Sequence, residues 1–228
     1  MNRMGERYVF IIVGVGGTGS LLARDLPKLL INTDHKMLLV DGDRVERKNM
    51  KRQSYQEQDI GEYKSIALSA KINTFYDTHC EAIGLYLTKN EILEYCNNNY
   101  LYTPVLIGCV DNDATRKILE YTFENLERCY YLDSANGEYE GNIFIAYRYS
   151  HDGKIYGALR SKTYKLEDDV HPLDESCEVQ ASKGNVQFLV TNNKMANYLL
   201  EHCNALLMRQ LKGGVQRVER FGSVFYSD

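Results

Sequence analysis

Residues Val9 to Gly19 read V-F-I-I-V-G-V-G-G-T-G, and this stretch constrains the fold more than any other. An apolar run (Val9, Phe10, Ile11, Ile12 and Val13) leads into a glycine cluster, and a helix-like segment, Ser20 to Leu30, follows. That order is the signature of a buried parallel strand, a phosphate-binding turn and a helix N-terminus. Gly14 permits the tight turn, Gly16 lets backbone approach a phosphate, and Gly19 lets helix and strand pack closely. The first amides of the helix then face an anion, with the positive end of the macrodipole behind them. A second apolar run, Met37 to Val40, ends in Asp41, far enough along the chain for its carboxylate to accept ribose hydroxyls. A bound nucleotide is the expectation.

Composition narrows the class. A chain of 228 residues fits one large domain, or one domain with a small appendage. With 44% hydrophobic and 25% charged residues it can bury a sizeable core, which excludes a disordered chain. A formal charge of -4 gives no general affinity for nucleic acid. No apolar run approaches the roughly 20 residues that span a bilayer, so no membrane partner is expected. Met1 to Arg7 is short and polar for a signal peptide. The cysteines at 80, 96, 109, 129, 177 and 203 form no C-x-x-C pair. A cytoplasmic protein with reduced thiols is the expectation, with no zinc site evident.

Taken in order, the chain alternates strands and helices. The polar loop from Asp41 to Gln53, D-G-D-R-V-E-R-K-N-M-K-R-Q, follows a nucleotide-binding strand and is placed to supply groups to a polyphosphate. A helix carrying Lys64 is expected from Gly61 to Phe75, a strand from His79 to Leu87, and a helix from Lys89 to Asn98. Val105 to Val110 reads as a strand ending in Asp111-Asn112, followed by a helix from Ala114 to Arg128 and a strand from Tyr130 to Leu132. This βαβ rhythm implies a parallel sheet, and ligands bind such sheets beyond the carboxyl ends of the strands. Gly14, Asp41 and Asp111 all fall at such ends. A cap for the following helix is the plainer role for Asp111, and the two roles are compatible.

The rhythm changes after Asn142. Strands are expected at Asn142 to Tyr149 and Lys154 to Leu159, joined as a hairpin. A long polar loop runs from Ser161 to Gly184, then a helix from Val186 to Leu211, then a terminal strand or hairpin from Val215 to Tyr226. The predicted fold is α/β: a doubly wound, Rossmann-like, mostly parallel sheet with a C-terminal antiparallel region. It forms a single domain over 1–228, with a nucleotide-binding half (1–135) and a second half (136–228).

With those residues in place, the chain resembles the ThiF/MoeB/ubiquitin-activating adenylation superfamily. The match consists of G-x-G-G-x-G at Gly14, Gly16, Gly17 and Gly19, D-x-D at Asp41 and Asp43, N-x-x-R-Q at Asn49, Arg52 and Gln53, then Lys64, and finally D-N at Asp111 and Asn112. The stretch from Glu175 to Leu207, with Cys177, Gln180, Asn185 and Asn197, looks like the second half of ThiF-like proteins of the PRTRC type. The resemblance implies that ATP and magnesium are used to adenylate the C-terminal carboxylate of a small ubiquitin-like or sulfur-carrier protein, releasing pyrophosphate. It implies that Asp41 holds the ribose and that Asp43 orients neighbouring basic groups or metal-bound water. Asn49, Arg52 and Lys64 would contact the phosphates, Gln53 would support Arg52, and Asp111 would bind magnesium. Arg116 either supports the metal or pairs on its helix face. The resemblance also implies a homodimer, with the helix Val186 to Leu211 either supplying interface or covering its own sheet.

The chain departs from the superfamily in three ways. It lacks the two C-x-x-C zinc pairs of many relatives. Only Met1 to Tyr8 precede the first strand, which leaves Arg3 and Arg7 as poor substitutes for an arginine-bearing extension. No ubiquitin-fold or rhodanese module is fused, so a protein substrate is expected to be a separate chain. Cys177 is the candidate nucleophile by position in the long loop, but Asp174, Glu175 and Glu178 disfavour a thiolate there. Its plainer role is to anchor the loop. An NAD(P)-dependent oxidoreductase would share the strand, the glycine turn and the later acid, without requiring Asp43, Asn49, Arg52 and Lys64. The intact set argues against a scaffold that keeps the site only to stabilise a complex, since loss of Arg52, Lys64 or Asp111 would mark such decay, and an enzyme that adenylates a peptide or small carboxylate stays open.

Overall fold

The computed structural model describes residues 6–76, 78–149, 153–167 and 189–227. Strands β1 (Tyr8–Val13), β2 (Lys36–Val40), β3 (His79–Ile83), β4 (Thr103–Gly108) and β5 (Cys129–Asn136) run parallel in the spatial order β3-β2-β1-β4-β5. Strands β6 (Gly141–Arg148), β7 (Ile155–Gly157), β8 (Gly214–Glu219) and β9 (Gly222–Ser227) extend the sheet antiparallel, with β7 and β8 both paired to β6. The predicted mostly parallel sheet and its antiparallel C-terminal region are both present.

Alternation along the strands builds two cores. Phe10 and Ile12 of β1 face one side with Met37 and Leu39 of β2, while Val9, Ile11 and Val13 face the other with Leu38 and Val40. Both faces of β1 and β2 are buried, which is why they read as unbroken apolar runs. The first side is covered by α1 (Gly17–Asp25), α2 (Pro27–Leu30) and α3 (Lys64–Phe75). The second is covered by α4 (Lys89–Asn98) and α5 (Asp113–Asn125). After α6 (Arg160–Thr163), a long helix α7 (Leu189–Leu207) packs Met195, Ala196, Leu199 and Leu206 into the first core against α1, β5 and β6. The apolar stripe of α7 thus covers its own sheet. No helix among the described residues is long and apolar enough to cross a membrane.

Several boundaries differ from the sequence expectation, each for a local reason. The helix expected over Ser20 to Leu30 starts at Gly17 and breaks before Pro27, which lacks an N–H and takes the first position of α2. The helix expected from Gly61 starts at Lys64, because Tyr63 pairs with Arg44 in a β-bridge. The strand expected to reach Leu87 ends at Ile83; Gly84 lies so close to the Tyr63 ring that an added Cβ would fall 2.8 Å from its Cγ. The long loop opens with the single helical turn α6, and residues 168–188, with Cys177, Gln180 and Asn185, lie outside the described residues. α7 ends at Leu207, short of Gly213, where Arg209 takes a φ of 59°.

Two glycines set the turn between β1 and α1. Gly14 has a φ of +84°, and an added Cβ would sit 2.7 Å from the Cys109 carbonyl oxygen. An added Cβ on Gly19 would fall 1.9 Å from the Gly14 carbonyl oxygen, so helix and turn touch backbone to backbone. Gly19→Ala is expected to cost about 3 kcal/mol or more, because the clash is with backbone rather than a flexible side chain. Urea unfolding checks this, and a change under about 0.5 kcal/mol, the usual scatter of surface substitutions, would mean that the contact does not hold the turn.

Candidate nucleotide-binding site

The order β2-β1-β4-β5 lays four strand ends side by side, and each delivers part of the site. Asp41 follows β2. One of its carboxylate oxygens accepts from the Val15 amide (2.7 Å) in the glycine turn and the other from the Asp43 amide (2.8 Å). Tyr55 donates to the Val15 carbonyl (2.7 Å) and fastens the same turn from below. Burial pushes the Asp41 carboxyl up, against the pull of Lys64. Each carboxylate oxygen keeps a lone pair for a further donor, as a ribose hydroxyl requires.

Lys64, at the start of α3, is buried, and its ammonium donates to Asp43 (2.6 Å) while its amide donates to the Asp43 carbonyl (2.9 Å). Burial opposes ionisation of Asp43, but Lys64 and a hydrogen bond from the Tyr86 hydroxyl outweigh it and hold the carboxyl down. Tyr86 lies flat on Gly42, where an added Cβ would be 2.6 Å from the ring. Burial, then Asp43, Asp41 and Asp111, push its phenol up, so the acid after β4 is within electrostatic reach of the β2 side.

The loop after β2 folds into a 3₁₀ turn, Arg47–Lys51, in which Asn49 is buried and its side-chain oxygen accepts from the Glu46 amide (2.7 Å). Arg52 closes that turn, its amide donating to the Asn49 carbonyl (3.1 Å). Gln53 is buried with Nε2 close to Gly16, 3.9 Å from where a Cβ would stand, and its Oε1 has no partner among the described residues. The Ser54 amide donates to Ser20 Oγ (3.1 Å) and joins the loop to α1. Gly16 is the N-cap of α1 and Gly17 its first residue; no side chain caps this end.

Across the crevice Asp111 is exposed beyond β4. Asn112, not Asp111, caps α5, its side-chain oxygen accepting from the Thr115 amide (2.8 Å). Arg116 is buried under this corner. It donates to the Val110 carbonyl, to Asp113 (2.8 Å) and to Asp133 (3.4 Å). Asp133 is fully buried on β5 and also holds Arg160, which donates to its carboxylate and to its carbonyl (3.1 Å).

The ThiF family profile matches residues 4–210. The chain belongs to the ThiF family. No curated protein sequence matches it. Among solved structures it is similar to PaaA, with 19% identity, a TM-score of 0.70, and 96% of this chain aligned to 64% of that one. It is also similar to E. coli MccB solved with ATP, at 14% identity and a TM-score of 0.64 over 97% and 63% of the two chains. A third is the microcin C7 biosynthetic enzyme MccB with N-formylated MccA, at 14% identity and a TM-score of 0.67 over 97% and 64%. At such identities the likeness is one of fold. The chain spans just under two thirds of the length of these structures.

Within this ThiF-family domain Asp41 is bonded to the glycine turn and to Asp43, Lys64 is bonded to Asp43, and the Gln53 amide donates to the Asn49 carbonyl, while Asp111 and Asn112 follow β4, the neighbour of β1. The resemblance puts Lys64 at a phosphate; here it is paired with Asp43. Cys177 lies outside the described residues. Of the others, burial pushes the thiols of Cys80, Cys96 and Cys203 up to about 12, which makes them poor nucleophiles. Three residues escaped the sequence analysis. Tyr86 has a signal in retrospect, since Gly42 between two acids leaves room for a ring. Asp133 and Arg160 have only a faint one, an acid and a base in otherwise apolar surroundings.

The Arg116–Asp133–Arg160 cluster yields a stability test. Asp133→Ala would leave two buried guanidinium groups facing each other, and breaking such a pairing costs about 3–5 kcal/mol. Denaturant unfolding measures this. A loss below about 1 kcal/mol, the scale of an exposed ion pair, would show that these charges are solvated rather than paired.

Proposed function

We propose that the crevice binds magnesium ATP and adenylates a carboxylate, as the family resemblance implies. The observation that carries this is the glycine cradle held between Asp41 on one side and the exposed Asp111 beyond β4 on the other. The N-terminus of α1, which no side chain caps, fits an anionic ligand laid against the turn. Asp41 would take the ribose hydroxyls, and the α1 amides the phosphates. Asn49, Arg52 and Lys64 would supply charge-assisted hydrogen bonds as charge moves to the leaving pyrophosphate, with Gln53 supporting Arg52. For Lys64 this means exchanging Asp43 for phosphate oxygen.

No group of three or more potential ligands for a metal occurs among the described residues. Magnesium suits such a place, since it binds through one or two carboxylates together with substrate phosphates, and Asp111 is the residue to hold it. When bound it neutralises phosphate charge. A substrate carboxylate oxygen attacks the α-phosphorus, the bond to the bridging oxygen of the β-phosphate breaks, and pyrophosphate leaves. The products are an acyl-adenylate and pyrophosphate. The attacking carboxylate is already ionised near neutral pH, so no general base is needed. Positioning and charge carry the reaction.

The acyl donor proposed is the C-terminal carboxylate of a protein or peptide. A ubiquitin-like or sulfur-carrier protein is the choice from the resemblance, and a peptide is the choice favoured by the MccB structure solved with MccA. Transfer to Cys177 as a thioester would be a later step. Titration calorimetry with magnesium ATP and with NADH tests the nucleotide. ATP is expected to bind, and Asp111→Asn to weaken it about tenfold or more while the melting temperature holds, a charged hydrogen bond being worth about 1.5–3 kcal/mol. NADH binding without ATP binding would put the chain among the oxidoreductases. A homodimer is also proposed, on the exposed Val224 and Tyr226 of edge strand β9. Light scattering that returns a monomer at micromolar concentration withdraws it.

A further inference from the structure

Asp43 holds two donors, one on each carboxylate oxygen. The Lys64 ammonium donates to Oδ2 (2.6 Å) and the Tyr86 hydroxyl to Oδ1. The lysine side chain is 8% exposed and that of Asp43 is 47% exposed, so the pair turns its acid, not its base, to solvent. A polyphosphate arriving there meets a carboxylate first. For Lys64 to serve a phosphate the pair must open. Asp43 then loses its counter-charge close to a second acid, Asp41, whose Oδ1 accepts the Asp43 amide (2.8 Å). Withdrawing one partner from a shielded ion pair leaves an uncompensated charge, and that is costly.

Tyr86 is placed to meet that cost. It follows β3 and reaches back over the residue after Asp41, where its ring lies on Gly42. A Cβ on Gly42 would fall 2.6, 2.7 and 2.8 Å from three ring carbons. Gly42 does not take a left-handed φ, so the backbone does not require glycine there; the ring does. Seated in that space, the ring delivers its hydroxyl to the Asp43 oxygen that Lys64 leaves untouched. A phenol that donates to a carboxylate makes a charge-assisted hydrogen bond, and such bonds are about twice as strong as neutral ones. The bond is worth most where no cation shares the carboxylate.

We infer that Tyr86 is a positioning residue for the triphosphate: it keeps hold of Asp43 while Lys64 leaves for a phosphate oxygen, and so lowers the cost of the exchange. This rests on the magnesium ATP binding proposed above. In the free protein Asp43 accepts from Lys64 and from Tyr86. With the polyphosphate in place it accepts from Tyr86 and from water, and the ammonium passes to the phosphate. Without the phenol, Asp43 would depend on Lys64 alone among these two and would hold it back from the nucleotide.

Titration calorimetry with magnesium ATP and with AMP tests this on the unaltered protein and on Tyr86→Phe. AMP keeps the ribose and the α-phosphate but lacks the two outer phosphates. Phenylalanine keeps the ring on Gly42, so the melting temperature should hold. ATP binding should weaken about tenfold, the worth of one charged hydrogen bond, while AMP binding stays within about twofold. The loss must also run through Asp43. In an Asp43→Asn background no charge is left behind when Lys64 departs, and Tyr86→Phe should then change ATP binding by less than about twofold. Unchanged ATP binding in Tyr86→Phe, or an equal loss for AMP and ATP, overturns the inference. So does a tenfold loss that persists in the Asp43→Asn background, since Tyr86 would then act on the nucleotide without Asp43. If the unaltered protein binds no ATP, the nucleotide proposal itself has failed, and the exchange falls with it.

Discussion

One half-buried carboxylate organises the site. Asp41 accepts from Val15 in the glycine turn and from Asp43 at the start of the following loop, so the end of β2 is tied to the end of β1 and to its own continuation. The backbone contact between Gly19 and Gly14 brings the start of α1 against the same turn. A carboxylate in this position cannot be replaced by an apolar side chain, since two amides would lose their acceptor, and it resists ionisation because it is partly withdrawn from water. The same group that shapes the cradle is the one proposed to hold a ribose.

Charge elsewhere in the crevice is arranged in closed pairs. Lys64 and Asp43 neutralise each other on the β2 side, and Arg116 and Arg160 share Asp133 behind the β4 and β5 ends. Asp113 takes the remaining valence of Arg116 and also accepts from the Glu167 amide (2.9 Å), so the corner beneath Asp111 is braced from three directions. Such bracing suits a site that works by positioning, where a displacement of an ångström costs more than the loss of one contact.

Much of the fold was legible because local signals agreed with the tertiary outcome. The helix Lys89–Asn98 matched its predicted limits because Thr88 and Glu91 form a capping box at one end and an asparagine run stops the other. The strands β1 and β2 were legible as apolar runs because both of their faces are buried. What escaped depended on partners far along the chain. β5 continues to Asn136 rather than stopping at Leu132, because Asp133 is neutralised by Arg116 and Arg160, and Asn136 is held by Thr18 and Asn192. No local pattern announces a buried acid whose bases lie 17 and 27 residues away. The site residues were legible as a set, but their bonds were not: Lys64 pairs with Asp43, Asn49 caps its own turn, and the cap on α5 is Asn112.

We propose that the glycine turn, Asp41 and Asp111 together hold one magnesium-bound nucleoside triphosphate. The most direct test is a crystal structure grown with magnesium and α,β-methylene-ATP. Phosphates are expected on the amides that open α1, ribose hydroxyls on Asp41, and a metal ion held at Asp111. A triphosphate bound elsewhere, or a crevice that excludes it under conditions where a nicotinamide dinucleotide lies across the same strand ends, would contradict the account.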